Sequence, residues 1–75
     1  MRQETQTFVG VREALSRRLR EAREAKGLSQ EALADLAGCH RTYVGMLERK
    51  QGNPSLSVIA SIAEVLEVEV GLLLT

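Results

Sequence analysis

The chain has 75 residues with ten basic and ten acidic side chains, and its formal net charge is zero. A chain of this length forms one small domain, and zero net charge argues against a protein that binds its partner by electrostatic attraction alone. No apolar run approaches the roughly 18 residues that a membrane-spanning helix needs, and the N-terminus shows no secretion signal. The lone cysteine excludes an internal disulfide. We therefore expect a single-domain cytoplasmic protein with no membrane partner.

The charges are unevenly distributed along the chain. Residues 12–26 contain six bases and three acids, and residues 36–56 contain three bases and one acid. Residues 57–75 contain Glu64, Glu67 and Glu69 and no base. This pattern predicts a polarised molecule that is positive near residues 29–48 and negative at its far, C-terminal end.

The first predicted helix follows a short polar segment. Residues 1–6 (MRQETQ) show no periodicity and are predicted to form a flexible tail, with the domain over residues 7–75. Apolar residues then recur every three or four positions from Phe8 to Ala22, which predicts a helix from residue 7 or 9 to residue 25. Gly27 is expected to end it.

A second helix is predicted to begin at Ser29, whose hydroxyl can accept a backbone N–H of the first turn. Its apolar face contains four residues: Ala32, Leu33, Leu36 and Ala37. Gly38 follows, and a glycine in the left-handed conformation turns the chain sharply at a helix end. Cys39 lies in this turn. Without a second cysteine we interpret it as a small turn residue rather than a redox sensor.

A third predicted helix begins after His40 and has two faces. Tyr43, Val44 and Leu47 recur at helical spacing and face inward. The outer face contains Arg41, Thr42, Gly45 and Met46. Two short helices joined by a turn of about three residues are typical of a helix-turn-helix, here over residues 29–48. A plain helical hairpin in a small bundle is the alternative that the pattern alone leaves open.

The loop after Glu48 is basic and rich in turn residues. Its backbone N–H groups and four side chains are candidates for holding a phosphate: Arg49, Lys50, Gln51 and Asn53. Ser55 is predicted to cap a fourth helix, whose inner face contains Leu56, Ile59, Ile62, Ala63 and Leu66.

A short fifth helix is predicted over residues 68–74. It contains four large apolar residues near the C-terminus: Val70, Leu72, Leu73 and Leu74. We expect this to exceed what one short helix can bury in its own domain. These residues are therefore predicted to pack against a second copy of the chain as a homodimer interface.

Two segments carry a family resemblance. The sequence RxxREAKGLSQEALADLAGCHRTYVGMLER from Arg20, followed by NPSLSVIASIAEVL from Asn53, resembles the lambda-repressor/Cro-like (XRE-type) DNA-binding domains over residues 15–74. The resemblance implies a compact all-α domain of five helices. Within that family, HRTYVGMLER in a chain of this length most resembles the controller proteins of restriction-modification systems. Lys50 and Glu67 stand where the family usually has glycine, so that either Lys50 is left-handed or the third helix ends later, at Gly52.

The resemblance also implies roles for several residues. Arg23 matches the family arginine that pairs with the glutamate at Glu48, and Gln30 is placed like the family glutamine that fixes a phosphate. From their positions on the third helix, the predicted base-reading residues are Arg41, Thr42, Gly45 and Met46, with Gly45 allowing close approach of the backbone to DNA. His40 is predicted to cap that helix or contact a phosphate, and Tyr43 to add a phosphate contact.

The predicted function is sequence-specific binding of double-stranded DNA by a transcription regulator. It would act as a homodimer on a near-palindromic operator, and the narrower prediction is a restriction-modification controller. The alternatives are an antitoxin that regulates its own operon and a protein-binding adaptor that has lost DNA affinity. We expect no enzymatic activity, no cofactor, no metal and no small-molecule ligand, because the sequence offers no acid–base pair or ligand set.

Overall fold

The computed structural model describes residues 4–75, and within these residues five helices and no strand form. They are α1 (Gln6–Ala25), α2 (Gln30–Ala37), α3 (Arg41–Glu48), α4 (Leu56–Leu66) and α5 (Val70–Leu74). The predicted all-α fold of five helices, with α2 and α3 as its helix-turn-helix, is confirmed. No helix in the described part of the chain is long and apolar enough to cross a membrane.

Three helices begin at a hydroxyl side chain that accepts a backbone N–H. Ser29 Oγ accepts from Ala32 N at 2.9 Å and Ser55 Oγ from Val58 N at 3.3 Å, so both predicted starts are confirmed. Such a bond pairs one of the N–H groups that the first turn of a helix leaves free.

The N-terminal boundary of the domain was predicted too late in the chain. Thr5 Oγ1 accepts from Phe8 N at 3.0 Å and caps α1, which begins at Gln6. The Glu4 carboxylate accepts two hydrogen bonds from the Arg12 guanidinium, each 2.9 Å long. The tail predicted over residues 1–6 is therefore wrong for residues 4–6, and residues 1–3 lie outside the described residues.

Each of the first four helices is followed, within two residues of its end, by a residue with positive φ: Gly27, Gly38, Lys50 and Glu67. After α3, Lys50 N donates to Leu47 O at 3.1 Å and Gln51 N to Met46 O at 2.9 Å, which pairs carbonyls of the last turn. Lys50 thus takes the left-handed conformation, at φ 62°, which is the first of the two alternatives predicted for this loop. A side chain in this conformation costs about 1–2 kcal/mol. Glu67 turns the chain in the same way, so α5 begins at Val70 rather than at the predicted residue 68.

The core lies where α2 packs on α3 and α4, and α1 on α3 and α5. It contains Leu15, Leu19, Leu33, Ala34, Val44, Leu47, Ile59, Ile62, Ala63, Leu66 and Leu73. Two residues predicted to face it, Leu36 and Leu56, are exposed. The buried side chains of α2 are Leu33 and Ala34, and Leu56 is the first residue of α4, at the edge of the core.

The C-terminal leucines divide between the core and the surface. Leu73 is 1% exposed and belongs to the core, whereas Leu72 is 59% exposed. Val70 and Leu74 are partly buried and pack against the core cluster. The prediction that Leu73 lies in a dimer interface is wrong, because α5 packs on the long helix α1 and buries this side chain within its own domain.

Truncating the two adjacent leucines should separate their roles. Leu73→Ala removes buried methyl groups and should lower the free energy of unfolding by about 2–5 kcal/mol. Leu72→Ala, the matched control, should change it by less than about 0.5 kcal/mol. Urea denaturation, at a protein concentration where sedimentation shows a monomer, measures both values. Equal losses in the two variants would contradict the burial that separates them.

Candidate nucleic-acid interface

A buried carboxylate, Glu48 at the end of α3, connects three helices. Its side chain is 1% exposed. Arg23 Nε lies 2.6 Å from Glu48 Oε2 and Arg23 Nη2 3.0 Å from Oε1, so the predicted ion pair forms with a two-pronged geometry. Arg20 Nε donates to Oε1 at 3.3 Å, and Gln30 Nε2 from α2 donates to the same oxygen at 3.1 Å.

The backbone carbonyl of Glu48 is also paired with α1. It accepts from Ser16 Oγ at 2.7 Å and from Arg20 Nη2 at 3.2 Å. Arg23 Nη1 donates in addition to Leu28 O at 2.7 Å, just before α2. Sequence reasoning missed Ser16, Arg20 and the Gln30 bond. The available signal was spacing, since residues 16, 20 and 23 lie one helical turn apart on α1.

The charge state of Glu48 follows from these contacts. Burial acts to raise the pKa of Glu48, but hydrogen bonds from Arg23, Gln30 and Arg20 and the positive charge of Arg23 together hold the pKa below its ordinary range. The carboxylate therefore stays ionised although it is out of contact with water. The same pairing raises the pKa of Arg23.

A groove of about 510 Å³ lies between the start of α2 and the outer face of α3. It is lined by Arg23, Ser29, Gln30, Glu31, Arg41, Thr42, Gly45 and Arg49. Of the predicted base-reading residues, Arg41 and Thr42 are exposed here. Arg41 Nη1 lies 3.3 Å from Glu31 Oε2 in a solvent-exposed pair of the kind that contributes little to stability. The groove brings these two residues together with Gln30 and Arg49, two of the predicted phosphate ligands.

His40 forms the N-terminal cap of α3. Its Nδ1 accepts from the backbone N of Thr42 at 3.1 Å, and the Thr42 hydroxyl contacts the same nitrogen. An Nδ1 that accepts a backbone N–H carries no proton, which leaves the proton of a neutral ring on Nε2. The cap therefore occupies one ring nitrogen and leaves the other for a phosphate contact.

Gly45 and Met46 are placed differently from the prediction. Gly45 is buried, with Gln30 and Arg49 side-chain atoms beside it. Its backbone does not lie open for close approach to DNA, and a base contact at Gly45 would require both side chains to move. Met46 is partly exposed, and its terminal methyl lies 3.3 Å from the position of a Cβ at Gly52. Part of Met46 thus supports the following loop.

The other predicted phosphate ligands lie at the groove edge and in the loop. Lys50 Nζ is 3.8 Å from Glu13 Oε2, whereas Arg49 has no carboxylate within 4 Å in the described part of the chain. Gln51 and Asn53 are exposed. Tyr43 is half-buried and packs against the core. Arg49 thus carries a positive charge that no carboxylate of residues 4–75 neutralises.

Cys39 lies in the turn between α2 and α3. Cys39 is partly buried, and this burial raises the pKa of its thiol, which disfavours the reactive thiolate. Within residues 4–75, no three His, Cys, Asp or Glu side chains are grouped so that they could hold a metal ion.

Comparisons with known proteins agree with this geometry. The helix-turn-helix family model matches residues 19–73. Control protein C.SmaI of Serratia marcescens is 43% identical over 68 residues, which cover 91% of this chain and 81% of that protein. The crystal structure of the restriction-modification controller protein C.AhdI from Aeromonas hydrophila superposes with a TM-score of 0.78 at 50% identity, covering 83% of this chain and 94% of that chain.

A third relative is known in a complex with DNA. The chain is 36% identical over 61 residues to the HTH-type transcriptional regulator SinR of Bacillus subtilis, and it spans 55% of the length of that protein. A crystal structure of SinR, the master regulator for biofilm formation, in complex with DNA has a TM-score of 0.77 at 35% identity, covering 81% of this chain and 98% of that chain.

Removing the Glu48 carboxylate should destabilise the fold strongly. Glu48→Ala leaves Arg23 charged and largely buried without its partner, so the free energy of unfolding should fall by about 3–5 kcal/mol at neutral pH. Glu24→Gln removes an exposed carboxylate 3.9 Å from Arg23 Nη2 and is the matched control, expected to cost less than about 1 kcal/mol. Urea denaturation measures both, and a loss below about 1 kcal/mol for Glu48→Ala would show that the pair is solvated.

The contribution of Glu48 should also depend on pH. Because its pKa is lower in the folded chain, the stabilisation is present above the ordinary carboxyl pKa of about 4.3 and is lost as the pH falls through the folded-state value. The stability difference between wild type and Glu48→Gln should therefore shrink on acidification. A difference that stays constant from neutral to acidic pH would contradict the lowered pKa.

Proposed function

The chain belongs to the helix-turn-helix family of DNA-binding transcription regulators, of lambda-repressor/Cro-like (XRE) type, and from this premise we propose that it acts as a homodimer on a near-palindromic operator. The operator is read by α3, and the dimer places two copies of α3 in successive major grooves. Two such helices lie about 34 Å apart along the duplex. No catalytic step is part of this proposal.

The groove between α2 and α3 is the observation that carries the proposal. It holds an exposed arginine and threonine on the first turn of α3 beside a glutamine amide and the uncompensated charge of Arg49. We assign Arg41 to a guanine, whose O6 and N7 accept two hydrogen bonds from a guanidinium, and Thr42 to an adjacent base edge. Gln30, His40 and Arg49 are assigned to phosphates. Phosphate contacts fix the register of the protein, and base contacts supply the sequence preference.

Dimerisation is supported by the surface and size of the domain. Leu72 remains exposed on α5, and a domain of this size gains stability from a second subunit. With Leu73 assigned to the core, we propose that Leu72, with the accessible parts of Val70 and Leu74, forms the contact between subunits. Control by the concentration of the protein itself then follows, since the operator is occupied only after two chains associate.

The names of two relatives support a proposal about which genes this protein regulates. C.SmaI and C.AhdI are control proteins, the second of a restriction-modification system, and this chain covers most of each. We propose that this chain likewise controls restriction-modification genes in the cytoplasm. An antitoxin role would require a toxin gene beside its own.

Selection of bound duplexes from a random pool tests the proposed function. The selected sites should be near-palindromes with half-sites about one helical turn apart, bound by two chains per duplex. Sedimentation should show a wild-type dimer at tens of micromolar, and Leu72→Lys should sediment as a folded monomer that binds the same sites more weakly. Failure to enrich any duplex would favour the adaptor alternative, and asymmetric sites bound by one chain would contradict the dimer.

Truncating a base-reading residue and truncating a phosphate-contacting residue should change DNA binding in different ways. Arg41→Ala should weaken operator binding by about 1–3 kcal/mol and relax the preference at one guanine in each half-site. Gln30→Ala should weaken binding to all duplexes alike. Arg18→Ala, on α1 away from the groove, is the control and should leave both properties unchanged. If Arg41→Ala kept its full base preference, Arg41 would be a phosphate ligand and sequence would be read through DNA shape.

A further inference from the structure

We infer that Gly45 is a positioning residue for DNA binding: its missing side chain leaves the space beside α3 that the ends of the Gln30 and Arg49 side chains occupy. This inference rests on the proposed function, because it concerns two of the side chains assigned there to phosphates. It gives Gly45 a role that acts through its neighbours and needs no contact between Gly45 and DNA.

Space, and not backbone conformation, explains a glycine at this position. Gly45 lies in the middle of α3 and is not among the glycines with positive φ. Glycine is a poor helix former, so a helical backbone alone would favour alanine here. A Cβ added to Gly45 would lie 3.1 Å from Arg49 Nη1 and 3.3 Å from Gln30 Oε1, which is closer than these atoms normally approach.

The position of Arg49 follows from helix geometry. Residues four apart lie one above the other, and side chains lean towards the helix N-terminus. The guanidinium of Arg49 therefore extends back over residue 45, and its Cζ lies 3.8 Å from the added Cβ. A side chain at residue 45 would lift this guanidinium away from the groove. No carboxylate of the described chain lies within 4 Å of Arg49 to hold its guanidinium in this position.

Gln30 is held in place by its bond to Glu48. Its Nε2 donates to Glu48 Oε1 at 3.1 Å, while its Oε1 lies beside Gly45. A carboxamide nitrogen carries two protons, so one N–H remains for a phosphate oxygen. A side chain at residue 45 would push the amide away from this position and weaken its bond to Glu48. Both displaced groups belong to the groove proposed to bind DNA, and neither belongs to the core.

Substitutions at Gly45 and at a matched glycine test this role. Gly10 lies within α1, and a Cβ added there meets nothing within 4 Å. Gly45→Leu should weaken binding to the selected operator about tenfold, a loss on the scale of one hydrogen bond to a charged group, and Gly45→Ala should weaken it less. Gly10→Leu and Gly10→Ala should bind as wild type. Gly10 is exposed, so Gly10→Leu and Gly10→Ala should unfold at or above the wild-type midpoint. Gly45 is buried and its replacement weakens the Gln30 bond to Glu48, so Gly45→Leu should unfold below the wild-type midpoint. Binding is therefore measured at a temperature where circular dichroism shows all four variants to be folded.

The salt dependence of binding reports on Arg49. If Gly45→Leu moves its guanidinium off a phosphate, the slope of log K against log salt concentration should become shallower by about 0.9. Arg49→Ala should show the same reduced slope. An unchanged slope in Gly45→Leu beside a reduced slope in Arg49→Ala would contradict the displacement.

A double-mutant cycle separates positioning from a direct clash with DNA. In the Gln30→Ala, Arg49→Ala background, Gly45→Leu should cause little further loss, because the groups it displaces are absent. The same tenfold loss in that background would show that residue 45 touches DNA directly and would overturn the inference. Full binding by Gly45→Leu in the otherwise unchanged chain would also overturn it and leave the proposed function intact. A wild type that selects no duplex would contradict the proposed function and this inference together.

Discussion

The buried carboxylate of Glu48 is the constraint on which the arrangement of the other helices depends. A charge without contact to water must be paired, and here guanidinium groups from α1 and an amide from α2 surround it. Its backbone carbonyl is tied to α1 through Ser16 and Arg20. These bonds can be satisfied together only when α1, α2 and the end of α3 take one relative orientation. The direction in which α3 presents its outer face is therefore set by a polar cluster as well as by the core.

A buried ion pair is seldom more stabilising than apolar side chains of the same volume, because both charges lose their hydration. In this protein the ion pair matters because it fixes the relative orientation of the helices. Leucine and valine contacts tolerate small rotations of a helix, whereas the two-pronged bond of Arg23 to Glu48 fixes an angle as well as a distance. The cluster also includes Gln30, a residue of the groove. Glu48 Oε1 thus accepts hydrogen bonds from Arg23, which helps to fix the fold, and from Gln30, which is proposed to contact a phosphate.

The sequence predicted best what depends on local chemistry. Ser29 and Ser55 marked helix starts, and Gly27 and Gly38 marked helix ends, because caps and left-handed turns are made by the residue itself. Burial on α5 was predicted poorly. This helix has no charged residue to mark its outer face, so periodicity could not separate Leu72 from Leu73. In the site, spacing placed Arg41 and Thr42 on the surface, but the cover over Gly45 comes from side chains that only the fold brings together.

The brevity of α2 and α3 has a consequence for how long the protein persists. Each has eight residues, whereas an isolated helix needs about 12–15 residues to be even marginally stable in water. The surface proposed to bind a duplex therefore exists only while the whole domain is folded. A ligand that binds the folded state alone stabilises it by mass action, by about 2.7 kcal/mol at a hundred times its Kd. Chains on an operator are then protected from unfolding and proteolysis, and free chains turn over first, so the number of binding sites in a cell would help to set the amount of regulator that survives.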